Sequence, residues 1–182
     1  HWYDRDIIGK TRPEWNGLLN MKYHEVVAKI IELLKSGGYW FETFEHEPVR
    51  TSEEAGKVRT GYSLAQGAKA MIVRVKKSTA DKSFAMLVLP GDKRLDFDKV
   101  KELFEARDIR FATEEEVAKL TDGVLPGGVP PFGNLFGLPV VADPLLFENE
   151  KIVFNAGDRR FSVAMKSADY QKIVGPRIVV LI

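Results

Sequence analysis

Apolar and polar positions along the chain follow two different periods, which predicts a mixture of helices and strands. Apolar residues recur at helical spacing over 23–36, 96–106 and 113–120, and a further helix is predicted over 167–174. Short apolar runs bounded by turn residues predict strands over 40–44, 69–75, 83–89, 109–111, 138–141, 152–155, 161–165 and 178–182. Because helices and strands follow one another along the whole chain, we expect a mixed α/β structure.

The strand predicted over 69–75 follows a turn that contains Gly67. Residues 70–73 and Val75 are all apolar, and a strand that is apolar on both faces lies in the middle of a sheet. The polar interval 76–82 separates it from the next apolar run, so we expect the two strands to pair as a hairpin. Residues 156–158 are predicted as a second turn between strands.

Two capping boxes predict further helix starts. Thr51 and Thr113 each stand three residues before a glutamate, which is the spacing at which a threonine and a glutamate cap each other's backbone amides. The order of elements then predicts one α/β (mixed α+β) domain over residues 21–182, a barrel-like mixed sheet of about six or seven strands with helices on its outside. Residues 1–20 follow no sustained period and are set apart as an N-terminal extension or an artificial leader.

Composition excludes several classes of function. The 182 residues are 45% hydrophobic and 29% charged, as in globular proteins, and the net charge is only +1, so a nucleic acid must be held by a local patch. The absence of cysteine removes disulfides, thiolate nucleophiles and cysteine zinc sites. No apolar run has the length of a membrane span, and we expect a cytoplasmic protein with no membrane partner.

The common catalytic motifs are missing. The three histidines, His1, His24 and His46, do not have zinc-ligand spacing. There is no phosphate-binding glycine loop of the Walker or dinucleotide type and no Gly-x-Ser-x-Gly turn around a nucleophile. The sequence therefore argues against a metal hydrolase or a serine triad, and we expect no metal and no cofactor.

Three loops and one lysine remain as candidates. In the loop 125–133, glycines let backbone amides approach a ligand and prolines stiffen the chain, so it can form an oxyanion hole or be an ordinary wide turn. The loop 45–51 either carries chemistry or only holds a histidine with a hydrogen-bond partner. The loop 155–158 either contacts a substrate or is only a hairpin turn. Lys69 stands at the start of the apolar strand, where its ammonium either reaches water or faces an anion or a polarised oxygen.

Four stretches in order resemble the YbaK/prolyl-tRNA-synthetase-associated editing domain family. They are Glu45–Ala55, Gly67–Met71, Gly127–Pro131, and Asn155–Gly157 with Phe161–Val163. The resemblance runs from about Met21 to Ile182 and implies a barrel-like mixed fold that hydrolyses mischarged aminoacyl-tRNA. Because no synthetase domain is present in the sequence, the chain resembles the free-standing members that act in trans.

The resemblance also implies a site. Lys69 matches the family's functional lysine, and Gly127 and Gly128 belong to its Gly-x-x-x-Pro loop, so these three are the expected catalytic residues. The expected substrate-binding residues are Phe44, His46, Thr51, Ala70, Val129, Pro130, Pro131, Phe132, Asn155, Ala156, Gly157 and Ser162. In this hypothesis Lys69 and the loop amides hold the terminal adenosine and the ester oxygen, while the proton passes to the neighbouring ribose hydroxyl.

The expected partner is the acceptor end of a mischarged tRNA, with an aminoacyl-tRNA synthetase as a second candidate. Arg59, Lys76 and Lys77 are candidate contacts to the acceptor stem. A small pocket would admit alanine, serine, threonine or cysteine esters and exclude larger ones. Two other hypotheses stay open: a module that binds aminoacyl-tRNA or a synthetase without catalysis, and a hydrolase of small nucleotide-linked esters.

Overall fold

A computed structural model describes residues 2–3, 15–48, 59 and 61–182. The α-helices are α1 (Trp15–Lys22), α2 (Glu25–Ser36), α3 (Phe97–Leu103), α4 (Glu114–Thr121) and α5 (Ser167–Val174). The strands are β1 (Trp2–Tyr3), β2 (Phe41–Glu45), β3 (Ala68–Lys76), β4 (Lys82–Pro90), β5 (Asp108–Phe111), β6 (Val140–Ala142), β7 (Lys151–Asp158), β8 (Phe161–Lys166) and β9 (Arg177–Ile178). Short 3₁₀ helices cover Leu64–Gln66, Gly133–Phe136 and Pro144–Glu148.

The strands form two open sheets, so the mixed α/β prediction is confirmed but the barrel-like sheet is not. One sheet has the order β1-β2-β8-β7 and the other β5-β3-β4-β6-β9. Within the described residues neither sheet closes, because the strands at its two ends, β1 and β7 in one sheet and β5 and β9 in the other, do not pair with each other. A single isolated bridge between Gly67 and Val153 joins the two sheets.

The predicted hairpin is confirmed and lies at the centre of the larger sheet. β3 and β4 pair antiparallel from Ala68 opposite Pro90 to Lys76 opposite Lys82. Successive residues of these strands point to opposite faces of the sheet. Ile72 packs into the main core, and Val73 packs into a second core that includes residues of α3. This burial on both faces explains the nearly continuous apolar sequence of both strands.

Helix α2 covers the smaller sheet. Val27, Ile30 and Leu34, at helical spacing, are fully buried in the main core with Phe154 of β7. The ring of His24 caps the helix start by accepting a hydrogen bond from the Val26 amide at 3.1 Å. His24 is therefore a structural residue at the beginning of α2.

The capping box at Thr113 is confirmed, and the one at Thr51 lies outside the described residues. The Thr113 side chain accepts from the amide of Glu116, whose carboxylate accepts from the Thr113 amide. The sequence predicts a strand over 178–182, but the strand in the structure covers Arg177–Ile178. Within the described residues it pairs with the short strand β6. At the other end of the chain, α1 extends across residue 20 and Leu19 is buried in the main core, while the division of the chain at residue 20 stays a prediction.

The turn predicted over 156–158 is instead a bulge within β7. The register with β8 shifts between Asn155 and Asp158, and the turn itself lies at residues 159–160. Gly157 has φ +121°, and a Cβ added there would lie 2.1 Å from Cγ1 of Val26. Glycine at this position thus lets α2 approach the bulge.

None of the helices in the described ranges is both long and apolar enough to cross a membrane.

Replacing Gly157 with alanine tests this close approach. We expect Gly157→Ala to lower the free energy of unfolding by roughly 3 kcal/mol, because a strained backbone and an overpacked contact add together. Gly38→Ala is the matched control: Gly38 has φ +68° but open space around the added Cβ, so strain alone should cost about 1 kcal/mol. Urea denaturation measures both values, and equal losses would show that the contact with Val26 contributes nothing.

Candidate active site

His46 and Ser162 form the first contact of the site. His46 follows β2, and its Nε2 lies 2.7 Å from the Oγ of Ser162 on β8. Its Nδ1 lies 2.8 Å from the carbonyl oxygen of Glu47, which can only accept, so Nδ1 carries a hydrogen. In the neutral ring Nε2 therefore accepts from the Ser162 hydroxyl. Both ring nitrogens are used, which leaves His46 no free nitrogen for a substrate.

Arg59 and Asn155 extend this contact into a buried cluster. Asn155 lies directly opposite Ser162 in the β7–β8 ladder. The guanidinium of Arg59 donates to Ser162 Oγ through Nε at 3.0 Å and to Asn155 Oδ1 through Nη2 at 3.0 Å. Arg59 is only 7% exposed, and burial lowers its pKa to about 10, so it still carries its charge at neutral pH.

Protonation of His46 would change one bond of this cluster. Burial is the main cause that lowers the pKa of His46, and the nearby charge of Arg59 acts in the same direction, while the Glu47 carbonyl and Asp158 oppose it. In the neutral ring the Ser162 hydroxyl points to His46; in the protonated ring it is displaced and can donate to Asn155 Oδ1, 3.1 Å away. The lowered pKa favours the first arrangement at neutral pH.

The cluster holds the glycine-proline loop. The Asn155 side-chain amide donates to the carbonyl oxygen of Gly127 at 2.6 Å, where φ is +84°. The Gly128 amide donates to the Leu125 carbonyl oxygen at 2.9 Å and so is already bonded within the loop; its expected catalytic role stays a prediction. By contrast, the amides of Gly127 and Val129 have no acceptor among the residues that the structure describes. These two amides are therefore free to donate to a substrate oxygen.

The far end of the loop is anchored in the core. The hydroxyl of Tyr170 donates to the carbonyl oxygen of Pro131 at 2.6 Å, and burial raises the pKa of Tyr170, so its hydroxyl stays a donor. Phe132 is fully buried between the rings of Phe154 and Tyr170. Pro130 is buried and Val129 half-buried. The loop is therefore fixed at both ends while Gly127 stays exposed.

Lys69 forms its hydrogen bond outside this cluster. Its half-buried ammonium donates to the carbonyl oxygen of Lys93 at 2.5 Å. Burial, and then the charge of Arg94, lower the pKa of Lys69, whereas Asp92 opposes them. Two residues earlier, Gly67 passes beside Arg59, because a Cβ added at Gly67 would lie 3.7 Å from Arg59 Nη1. The residue that passes beside Arg59 is therefore Gly67, while the Lys69 ammonium bonds to the segment after β4.

The remaining predicted contact residues are mostly packed. Phe44 is buried against Tyr62, with ring centroids 5.7 Å apart, and Ala156 is fully buried in the main core. Gly157 faces Val26, as described above, while Ala70 is half-buried beside the main core. Thr51 lies outside the described residues. A substrate contact by any of these five stays a prediction, but the structure gives the first three a packing role.

The basic residues expected to contact tRNA do not lie together. Arg59 is inside the protein and bonded to Ser162 and Asn155, so it is not a surface contact. Lys76 and Lys77 are at the opposite end of β3 from Lys69, roughly 23 Å away along the strand. The role of Arg59 was missed because its partners are 96 and 103 residues distant in sequence.

A cleft of about 390 Å³ opens beside His46. It is lined by Lys22, Tyr23, Glu45, His46, Glu47, Pro48 and Arg160. Burial and a hydrogen bond to Glu45 raise the pKa of Tyr23 to about 12. Burial opposes ionisation of Glu45, but hydrogen bonds from Lys22 and Tyr23 hold its pKa below the ordinary value. No group of three or more metal-binding side chains occurs in the described part of the chain.

The half-buried His46 predicts a pH dependence of stability. Because its folded-state pKa is lowered, stability that depends on the neutral ring is complete above the unfolded pKa of about 6.5 and is lost as the pH falls below it. We expect the wild-type protein to lose more stability than His46→Gln between about pH 7.5 and pH 5.5. Urea unfolding at both pH values measures this, and an equal loss in the two proteins would contradict a neutral His46 with a lowered pKa.

Comparison with known proteins identifies the family. The model of the aminoacyl-tRNA editing domain matches residues 46–173. The Escherichia coli K12 protein named multifunctional Ser/Thr-tRNA deacylase ProXp-y is 36% identical over 152 residues, which are 83% of this chain and 89% of that protein. A proline–tRNA ligase of Sulfurihydrogenibium is 38% identical over 81 residues, 44% of this chain but only 14% of the ligase.

A solved structure supports the same fold. The structure of a candidate trans-editing enzyme for prolyl-tRNA synthetase superposes with a TM-score of 0.72 at 24% identity, covering 86% of this chain and 96% of that one. The family model and the similarity to the E. coli deacylase confirm the resemblance predicted from the sequence and its activity class, the deacylation of aminoacyl-tRNA. Since the family model spans most of the chain, the protein belongs to the aminoacyl-tRNA editing domain family.

Proposed function

We propose that the protein hydrolyses the ester bond between a tRNA and a small, wrongly attached amino acid, with serine and threonine as the first candidates. Membership of the editing-domain family supports the hydrolysis of aminoacyl-tRNA, and the name of the E. coli relative supports serine and threonine as the amino acids released. The observation that carries the proposal is the loop 127–131, whose Gly127 carbonyl is held by Asn155. The amides of Gly127 and Val129 beside it have no acceptor among the described residues.

These amides suit the charge that develops in ester hydrolysis. When water attacks the ester carbonyl, its oxygen becomes negative, and fixed backbone donors stabilise that charge without reorganising. The prolines that follow leave the loop few other conformations. We therefore assign the ester oxygen to the amides of Gly127 and Val129, and no longer to Gly128, whose amide donates to Leu125.

Lys69 adds a positive charge at the edge of the site. An ammonium has three N–H donors, and the bond to the Lys93 carbonyl uses one, so two can reach the substrate. Its partial burial strengthens its interaction with an anion, because less water screens the charge. We assign Lys69 to the terminal adenosine or the ester oxygen of the substrate.

The proton balance needs no protein base. The attacking water forms a bond to the carbonyl carbon, the ester C–O bond breaks, and the ribose oxygen leaves with a proton to regenerate the tRNA. His46 is a poor base for this step because both its nitrogens are bonded within the protein. We infer that the neighbouring ribose hydroxyl of the substrate relays the proton, since the ester is already activated and chiefly needs placement.

The amino acid would be selected by size. A cavity that fits a small side chain excludes larger ones by clash, which is how an editing site complements a synthetase that mistakes similar small amino acids. We infer that the acceptor end of tRNA is the macromolecular partner and that the reaction takes place in the cytoplasm. Docking on a synthetase is a second candidate interaction, suggested by the similarity to part of the prolyl enzymes.

A deacylation assay tests the proposal and the role of Lys69 together. Purified protein is incubated with tRNAs charged with serine, threonine, alanine, cysteine or a large amino acid such as phenylalanine. We expect release of the small amino acids, serine and threonine first, and retention of phenylalanine. Lys69→Ala should lower kcat/KM by about a hundredfold, whereas Lys172→Ala, an exposed lysine on α5, should leave it unchanged.

The outcomes separate the alternatives. A protein that binds these tRNAs but releases no amino acid would be a binding module, and the proposed function would be wrong. Equal hydrolysis of small and large esters would contradict selection by size. A folded Lys69→Ala protein with wild-type kcat/KM would remove Lys69 from the mechanism but keep the reaction.

A further inference from the structure

We infer that Arg59 is a positioning residue for the glycine-proline loop, acting through Asn155 on the carbonyl of Gly127. The inference rests on the proposed function, which gives the loop its catalytic purpose. Among the described residues Arg59 forms its hydrogen bonds with Ser162 and Asn155 and none with the loop, and in this scheme it does not contact the substrate. Its contribution is to fix the direction of one side-chain amide.

The guanidinium bonds two strands at once. It donates to Ser162 on β8 and to Asn155 on β7, each at 3.0 Å, and these two residues are direct cross-strand partners. A planar guanidinium presents its donors in a rigid fork, so both acceptors are held in one plane. A lysine at this position would keep the positive charge but would lack the planar set of N–H donors that bonds both acceptors.

This contact decides which end of the Asn155 amide faces the loop. A guanidinium only donates, so the oxygen of the Asn155 amide must point towards Arg59. The nitrogen then points the other way and donates to the Gly127 carbonyl oxygen at 2.6 Å. If the amide turned over, its NH₂ would face the donors of Arg59 and its oxygen would face the oxygen of Gly127, and both contacts would be repulsive.

The direction of the Asn155 amide in turn fixes one peptide unit of the loop. The peptide between Gly127 and Gly128 is held on both sides, by Asn155 at its carbonyl and by Leu125 at its N–H. The candidate donors, the amides of Gly127 and Val129, flank this peptide. A change of its orientation would move both of them, and a displacement of about 1 Å in a catalytic group can cost on the order of a hundredfold in rate.

The experiment combines kinetics with hydrogen–deuterium exchange of the full-length protein. In Arg59→Lys and in Asn155→Asp, we expect kcat for seryl-tRNA to fall by about a hundredfold while KM changes by less than about threefold. The carboxylate of Asn155→Asp still accepts from Arg59 but cannot donate to Gly127. We expect the Gly128 amide, which is bonded to Leu125, to exchange at least about fivefold faster in both variants.

Two controls separate positioning from general loosening of the fold. The Leu135 amide, which donates to the Phe132 carbonyl oxygen at 2.9 Å just after the loop, should keep its exchange rate in every variant. Arg74→Lys alters a similarly enclosed arginine, which pairs with Asp108 away from the loop, and should change neither kcat nor the exchange of Gly128. Unchanged exchange of Gly128 in a folded Asn155→Asp protein would overturn the inference, even if Arg59→Lys failed to fold.

The exchange readout also keeps this inference distinct from the proposed function. If the wild-type protein hydrolyses no aminoacyl-tRNA, the function is wrong, yet the exchange of Gly128 still reports whether Arg59 and Asn155 fix the loop. If activity is present and both variants keep wild-type kcat, the loop is not positioned through Arg59.

Discussion

One side-chain amide holds the candidate site together. The Asn155 amide links the buried cation Arg59 to the exposed carbonyl of Gly127, so the interior of the smaller sheet determines the shape of a surface loop. Loops that bind substrates need such support because the backbone alone leaves them several conformations. Here the support comes from two hydrogen-bonded strands, from Tyr170 beneath Pro131 and from the prolines themselves.

The polar cluster lies outside the main apolar core. Arg59, Ser162 and His46 lie on the face of the smaller sheet that is opposite the main core, beside Phe44 and Val153. Their donors and acceptors satisfy one another, and satisfied buried networks fix a unique arrangement, whereas an unpaired member would cost about 1–3 kcal/mol. The main core on the other face remains apolar and supplies the stability on which this arrangement depends.

Local patterns in the sequence predicted the elements well and the site less well. Apolar runs, helical periodicity and capping identified the β3–β4 hairpin, α2 and the Thr113 cap, because each depends on neighbours in sequence. The two-sheet arrangement, the bulge at Gly157 and the burial of Arg59 depend on contacts between distant segments, which periodicity does not report. Gly128 was assigned an oxyanion role from its residue type, but its amide is used by Leu125 within the loop.

The central claim is that the amides of Gly127 and Val129 face the reacting ester. The most direct measurement is amide NMR of the protein during titration with a non-hydrolysable seryl-adenosine analogue, in which an amide replaces the ester. The account predicts that the Gly127 and Val129 amides shift and become protected from exchange on binding, while the Gly128 amide, already bonded to Leu125, changes little. Binding that leaves the Gly127 and Val129 amides unprotected would contradict it.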